Sequence, residues 1–376
     1  MGAVPQYCSE MGRLERFRGG LMKGRKNPHP LTILSVAYPM MTIGRGEAGG
    51  SEEILRMIDA RLTSSGHRSI VIAGAGSQIA GELVSTPAVN GRLSDEIRAV
   101  AQTQQLEAIR AVLAREPVDL LHFHGLDFLT YRPQSSTVPQ LATLHLPVSW
   151  YPRDLFQFEN IMLNFVSENQ ARSAPTRHAM PVVTNGVDLE AFFVTQKRGY
   201  ILWMGRVCPE KGAHIAARVA HRLDRELIIA GPLHPFSSHL EYFTTEIESR
   251  LDEKRRYIGP VNGFQKSILL SQAGCLLVPS LVEETSSLVA MEAIASGTPV
   301  VAFRSGALPE VVDHGITGYI VNSEDEMAEA VALAGRIDPE ACRRVAEERF
   351  SSRTMTDKYL HLYASIIDAP VRAGDE

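Results

Sequence analysis

Short apolar segments alternate with longer helix-like segments along most of the 376-residue chain, and this alternation limits the fold most strongly. Each apolar segment has the length of a buried strand and ends near a turn-forming residue. The predicted strands are 32–37, 69–73, 120–124, 140–145, 164–167 and 180–184, then 200–204, 226–231, 256–259, 275–278, 300–302 and 318–321. Repeated βα units of this kind favour parallel sheets with helices on both faces. The sequence therefore predicts an α/β fold with two doubly wound domains and a cleft between them.

Composition narrows the class of protein. The apolar fraction of 44% and the charged fraction of 22% are those of an ordinary globular protein. A net charge of −5 gives no overall attraction to nucleic acid or to an anionic membrane. The four cysteines are scattered and form no CxxC pair, so neither a disulfide framework nor a zinc site is expected. We therefore expect a cytoplasmic protein with reduced thiols.

The domain boundaries follow from breaks in this pattern. The first 28 residues hold six Lys or Arg against two Glu and no apolar signal core, so residues 1–28 are predicted to be a flexible basic extension. A turn signal at 185–188 and a polar stretch at 195–199 separate the two series of strands. This places an N-terminal domain at 29–195 and a C-terminal domain at 196–349. The basic extension leaves open a peripheral contact with the inner face of the membrane.

Two carboxylates, Glu284 and Glu292, lie on either side of a predicted loop-to-helix junction and are separated by seven residues. The apolar segment 276–280 before them predicts a strand that ends at this junction. A helix start presents unpaired N–H groups and attracts phosphate, while carboxylates accept hydrogen bonds from hydroxyls. The alternative is an ordinary helix-start charge and a solvated Glu292, but the apolar residues around Glu292 disfavour it. The segment therefore suits a phosphorylated sugar.

Arg206 and Lys211 follow a predicted strand of the second series, within the sequence Gly-Arg-Val-Cys-Pro-Glu-Lys-Gly. Arginine offers a planar fork and lysine a mobile charge, and together they suit a diphosphate. By themselves they could equally be surface cations. Because they belong to the same sheet as Glu284, we expect them to face the same crevice.

Two sequence features among the first series of predicted strands indicate a binding site less specifically. The glycine-rich segment 44–51 could let backbone approach a phosphate, or it could be a flexible loop. The strand-end residues His122 and His124 are predicted to be packed or hydrogen-bonded, because no carboxylate or cysteine lies at metal-ligand spacing. His145 ends a strand before Pro147 and should project into the crevice.

Together, the motifs at 49–52, 185–188, 205–212 and 284–301 resemble the family 4 retaining glycosyltransferases of the GT-B fold, also described as glycosyl transferases group 1. The resemblance covers about residues 31–363 and is most specific in the second half. It implies two Rossmann-like domains, the C-terminal one for a nucleotide-sugar donor and the N-terminal one mostly for the acceptor. It also implies a last helix, about 350–369, that crosses back to the first domain.

The resemblance assigns roles to individual residues. Arg206 and Lys211 would hold the donor diphosphate and Glu292 the ribose hydroxyls. Glu284 would contact the transferred sugar, and His145 would lie near the anomeric carbon. The implied catalytic residues are thus His145, Glu284, Arg206 and Lys211. The implied donor-binding residues are Gly50, Gly205, Arg206, Lys211, Pro260, Val261, Glu284, Ser286, Ser287, Leu288, Val289 and Glu292.

The predicted function is therefore a retaining, metal-independent transfer of sugar from a nucleoside-diphosphate sugar to a glycan, lipid-linked or natural-product acceptor, as in polysaccharide biosynthesis. The nucleotide sugar, favoured to be a UDP-sugar with a GDP-sugar open, is a co-substrate, and no cofactor is expected. One departure from the family stands at 285–287, where Thr-Ser-Ser replaces the usual Pro or Gly, Phe and Gly. Two alternatives remain: a sugar-nucleotide epimerase of the same fold, and a catalytically idle nucleotide- or carbohydrate-binding scaffold.

Overall fold

The computed structural model describes residues 29–44, 49–87, 94–176 and 180–368. The predicted basic extension at 1–28 lies outside these ranges, as do residues 45–48 of the glycine-rich segment. From Thr32 onward, the described residues form one compact unit.

The first sheet is built from six parallel strands. They are β1 (Thr32–Val36), β2 (Arg68–Gly74), β3 (Glu82–Thr86), β4 (Leu120–Phe123), β5 (Gln140–Leu144) and β6 (Met162–Phe165). Their order across the sheet is β3-β2-β1-β4-β5-β6. The helices of this half are α1 (Gly50–Ser64), α2 (Asp95–Arg115) and α3 (Glu168–Ser173). The strands are almost fully buried except for β3, which forms the edge of the sheet.

The second sheet repeats this plan with β7 (Ile201–Met204), β8 (Leu227–Ala230), β9 (Arg255–Tyr257), β10 (Cys275–Val278), β11 (Val300–Phe303) and β12 (Gly318–Val321). Its order is β12-β11-β10-β7-β8-β9. The helices of this half are α4 (Ala213–Arg222), α5 (Ser237–Tyr242), α6 (Gly263–Gln272), α7 (Leu288–Ala295), α8 (Leu308–Val311), α9 (Glu324–Ala334) and α10 (Pro339–Arg349). Apolar clusters fill both faces of this sheet.

In both sheets the first three strands are added toward one edge, and the chain then returns to add the other three on the opposite side of the first strand, so each sheet has a switch point there. In the first sheet the switch lies between β1 and β4, and in the second between β7 and β10. Loops that leave two such strands diverge and open a crevice at the carboxyl edge. The predicted pair of doubly wound parallel sheets is confirmed, and the second crevice collects the loops that carry Arg206 and Glu284.

The last helix, α11 (Ser352–Ile367), packs against the first half of the chain. Tyr359 and Tyr363 lie on its buried face, and Arg61 of α1 forms an ion pair with Asp357 of this helix at 2.5 Å. Residues from both ends of the chain thus build the first half.

One strand prediction was wrong, and one strand was not predicted. Residues 180–184 form only one bridge, between Phe165 and Val182, because they lie beyond the end of β6 and pair with little else. Strand β3 was not predicted, since its sequence Glu-Leu-Val-Ser-Thr has an exposed edge and few apolar residues. Within the described ranges, none of the helices combines the length and apolar character that crossing a bilayer requires.

Candidate functional site

The turn after β7 packs closely against the residues that follow β10, because the residue at 212 is a glycine. Gly212 has φ +71°, and a Cβ on it would lie 2.2 Å from the carbonyl oxygen of Pro279. The 3-10 turn Pro209–Lys211 therefore sits directly against the residues that follow β10. Any side chain at residue 212 would push this turn, and Lys211 with it, away from the β10 loop.

Lys211 and Glu284 form the centre of this edge. The Lys211 Nζ donates to Glu284 Oε1 at 2.5 Å, and the Ser280 hydroxyl donates to the same oxygen at 2.5 Å. The side chain of Lys211 is 26% exposed and that of Glu284 is 10% exposed. Both remain reachable from the crevice, so a phosphate could draw Lys211 toward itself while Ser280 keeps the carboxylate in place.

Arg206 lies one residue beyond Gly205 at the end of β7 and is exposed. Among the described residues it forms no ion pair, in contrast to Lys211. Its charge acts on His234, whose pKa is lowered by burial first and by Arg206 second. The guanidinium is therefore free to bind an anion at the strand end.

Glu292 lies in the second turn of α7 and is buried. Its Oε1 accepts from Lys266 Nζ at 2.5 Å, whereas Oε2 has no partner among the described residues. Burial raises the pKa of this carboxyl, and the Lys266 charge opposes the rise. A buried acceptor without a donor is costly, so Oε2 is suited to accept a hydrogen bond from a ligand hydroxyl.

The start of α7 lies between these two carboxylates. Ser287 is its N-cap residue, but its side chain makes no capping hydrogen bond, and the Ser286 hydroxyl is buried without a partner. The first N–H groups of the helix, at Leu288 and Val289, have no partner within the helix. Gly50, at the start of α1, lies so close that a Cβ on it would be 3.6 Å from Leu288 Cδ1. Two positive helix ends thus converge here.

His145 approaches the same region from the first sheet. The Thr285 hydroxyl donates to the His145 carbonyl oxygen at 2.7 Å, which joins the Glu284 loop to the end of β5. The ring of His145 lies 3.0 Å from that of His124, Nε2 to Nδ1. Burial lowers the pKa of His145 to about 3, so its ring is neutral at physiological pH. Thr285, where the chain departs from the family pattern, therefore makes a contact of its own.

Pro260 and Val261 are less closely connected to this cluster. They lie in the loop between β9 and α6, with Pro260 exposed, and nothing in the described ranges links their side chains to it by a hydrogen bond or ion pair. The following helix α6 starts with a capping box at Asn262 and carries Lys266 to Glu292. The loop is thus placed beside the cluster only through α6.

Sequence reasoning missed three residues of the site: Ser280, Lys266 and His124 as the partner of His145. Lys266 is 26 residues from Glu292, and no pattern in the sequence relates the two. No group of three His, Cys, Asp or Glu in the described part of the chain has the geometry to hold a metal ion.

Comparison with known proteins gives a family match in the second half of the chain. Residues 198–334 match the model of the family described as glycosyl transferases group 1, which confirms the predicted resemblance. The D-inositol 3-phosphate glycosyltransferase of Corynebacterium efficiens is 34% identical over 151 residues, which cover 38% of this chain. Those residues span only 35% of that relative's length.

Solved structures match nearly the whole chain. Sucrose-phosphate synthase from Thermosynechococcus elongatus superposes with a TM-score of 0.77 at 18% identity, covering 89% of this chain and 99% of that one. The Anabaena protein HepE in complex with UDP-glucose superposes with a TM-score of 0.69 at 16% identity, covering 89% of this chain and 100% of that one. At these identities the likeness concerns the fold, and it confirms the predicted GT-B arrangement.

Proposed function

We propose that this protein is a glycosyltransferase that takes a sugar from a nucleoside-diphosphate sugar and transfers it to a hydroxyl-bearing acceptor. One observation carries the proposal: Arg206, the Lys211–Glu284 pair and Glu292 lie at a single switch point, where the described residues leave Arg206 without an ion pair and Glu292 Oε2 without a donor. That switch point falls in the part of the chain that matches the family model.

Separate groups of the site suit the diphosphate, the ribose and the sugar of such a donor. Arg206, Lys211 and the helix N-termini supply positive charge for a diphosphate. Glu292 Oε2 accepts from a ribose hydroxyl, and Glu284 accepts from hydroxyls of the transferred sugar. We favour a UDP-sugar, since the similarly folded HepE was solved with UDP-glucose, and a GDP-sugar stays open. The acceptor is a glycan, a lipid-linked sugar or a natural product.

The chemistry proposed is a transfer with retention of the anomeric configuration. The acceptor oxygen bonds to the anomeric carbon on the face from which the phosphate oxygen departs, and the acceptor proton passes to that phosphate. Because Arg206 and Lys211 stabilise the charge that develops on the diphosphate, the site supplies with its own cations the stabilisation that a metal ion gives elsewhere. His145 is neutral, so it does not act as a cation in the transfer.

The test compares Arg206→Ala with Arg336→Ala, a substitution of an exposed arginine outside the site. The purified full chain is incubated with labelled UDP-, GDP- and ADP-sugars, with and without an acceptor panel. We expect stabilisation against heat by one nucleoside diphosphate, and a loss of about 100-fold in kcat/KM for Arg206→Ala alone. An unchanged rate in Arg206→Ala would remove the diphosphate assignment.

The same incubation separates the alternatives. An epimerase would isomerise the labelled sugar without acceptor and form no glycoside. A binding scaffold would be stabilised by the nucleotide but would release no nucleoside diphosphate from the donor.

A further inference from the structure

A row of polar side chains lies on one face of the first sheet, beneath α11. His122 lies in β4 and His124 directly after it, two residues on. The register of β4 with β5 places Thr143 and His145, the residue directly after β5, on the same face. Their rings are close, with centroids 4.0 Å apart for His122 and His124 and 5.3 Å apart for His124 and His145. The row therefore runs from α11 to His145, which contacts the Glu284 loop.

The hydrogen bonds of this row fix the proton positions, beginning at Asn164. Its amide nitrogen donates to the Phe165 carbonyl oxygen, so its Oδ1 is the acceptor of the Thr143 hydroxyl at 2.6 Å. Thr143 has one proton to donate and has now used it. Its oxygen must therefore accept from His122 Nε2, which lies at 2.8 Å.

His122 consequently carries its proton on Nε2. Its Nδ1 then accepts from the Tyr363 hydroxyl of α11 at 2.8 Å. Burial lowers the pKa of His122 and that of His124 well below the usual value, so each ring is neutral and has a single N–H. Every proton in this part of the row has a partner.

His124 has one bonded and one unbonded nitrogen. Its Nδ1 lies 3.0 Å from His145 Nε2, whereas its Nε2 is buried with no partner among the described residues. A buried N–H without an acceptor is rarer and costlier than an acceptor with an unused lone pair. The proton of His124 therefore belongs on Nδ1, which donates to His145 Nε2.

With Nε2 of His145 occupied as an acceptor, its own proton lies on Nδ1. This nitrogen makes no hydrogen bond to any described residue, and the side chain is partly exposed at the carboxyl end of β5. The Thr285 contact to its carbonyl oxygen places the residue beside the donor loop.

We propose that His124 is a positioning residue that holds His145 as the Nδ1–H tautomer, so that His145 donates a hydrogen bond to an oxygen of the transferred sugar. The sugar as ligand rests on the proposed function, whereas the tautomer rests on the hydrogen bonds and the burial of this row. His145 thus recognises the sugar as a neutral donor and takes no proton during the transfer.

The experiment uses a matched pair of substitutions. Asparagine bears its amide on the same carbon as histidine Nδ1, so His124→Asn can still donate to His145. Glutamine carries its amide one carbon further and lacks this donor, so His124→Gln is its counterpart. We expect His124→Asn to keep kcat within about threefold and His124→Gln to lose about tenfold, which is the effect of one hydrogen bond. Both should bind free nucleoside diphosphate as the wild type does.

Nitrogen NMR of histidine-labelled full-length protein tests the tautomer without any donor. In the wild type, the His145 signals, identified by their absence in His145→Asn, should show a proton on Nδ1 and none on Nε2. A proton on Nε2, or wild-type kcat in His124→Gln, would overturn the proposal. If His124→Gln does not fold, the wild-type spectrum decides. Failure of nucleotide binding would instead refute the proposed function and leave the tautomer result intact.

Discussion

At the scale of single residues, Glu284 and Glu292 look equivalent in the sequence but have different surroundings. Oε1 of Glu284 accepts two hydrogen bonds, from Lys211 and Ser280. Glu292 is more deeply buried and keeps one oxygen without a donor. Glu284 is therefore fixed in orientation beside the cations, while Glu292 needs a donor from a ligand.

Glu292→Gln should weaken the recognition of ribose. The substitution removes the charge that strengthens a hydrogen bond from a ribose hydroxyl and loosens the pair with Lys266. We expect affinity for UDP to fall about tenfold, whereas affinity for 2′-deoxy-UDP should change little, since one charge-assisted hydrogen bond contributes about 1.5–3 kcal/mol. Calorimetric titration of both nucleotides measures the ratio.

The control for this measurement is Glu329→Gln, on the exposed face of α9. If Glu292→Gln bound both nucleotides with wild-type affinity, the carboxylate would not contact the ribose. An equal loss for both nucleotides would indicate a general disturbance of α7 instead.

At the scale of elements, the strands that are buried on both faces were predictable, because they read as continuous apolar runs. The strand-end residues of the site were predictable for a related reason, since parallel strands deliver their loops to one edge. The partners of these residues were not. Lys266 reaches Glu292 only through the packing of α6 beside α7, and His124 meets His145 only through the register of β4 and β5. Such distances depend on tertiary packing, which a single sequence does not encode locally.

Lys197 connects several elements of the second half from within the predicted linker. Its Nζ donates to Ser271 O at 2.8 Å, to Ser296 O at 3.1 Å and to Thr298 Oγ1 at 2.6 Å. These acceptors lie at the ends of α6 and α7. Burial lowers the pKa of Lys197 to about 8, because the charged form loses hydration that the three acceptors only partly replace.

The lowered pKa predicts how stability depends on pH. Between about pH 8 and pH 10.4, the folded state has released the Lys197 proton while the unfolded state still holds it. The unfolded state then binds more protons, so the free energy of unfolding gains a contribution that rises with pH in this window. We expect wild type to become more stable relative to Lys197→Met as the pH rises from 8 to 10.

Urea unfolding followed by tryptophan fluorescence, to which Trp203 buried in the second sheet contributes, measures this difference. Taking the difference between the two proteins cancels the titration of other lysines, tyrosines and cysteines. A constant or shrinking difference over this range would contradict the lowered pKa.

At the scale of the whole molecule, the two halves are joined in two ways. Helix α11 packs on the first half through buried Tyr359 and Tyr363, which makes that connection extensive. Among the described residues, the carboxyl edges of the sheets also meet through polar contacts. Glu310 of α8 accepts from the backbone N–H groups of Glu168 and Asn169 at the start of α3, at 3.0 Å and 2.5 Å. Arg172 of α3 pairs with Glu310 as well, at 3.1 Å. The Thr285 hydroxyl adds a contact to the His145 carbonyl oxygen.

These polar contacts are weak enough to break when the halves separate. A net hydrogen bond contributes about 1 kcal/mol, which shifts an equilibrium between open and closed arrangements about fivefold. Thr285→Val keeps the shape of the side chain but removes the donor to His145. We expect it to lower kcat several-fold, because the donor loop and His145 are brought together less often, while UDP binding to the second half stays unchanged.

Thr285→Ser keeps the hydroxyl and should retain the wild-type kcat, which separates the hydrogen bond from the methyl group. X-ray scattering with saturating UDP should show a larger radius of gyration for Thr285→Val than for Thr285→Ser, because the open arrangement is more populated. Equal radii and equal kcat for the two variants would show that the edge contact does not control closure. In that case the packing of α11 and the Glu310 contacts would hold the halves in their working arrangement.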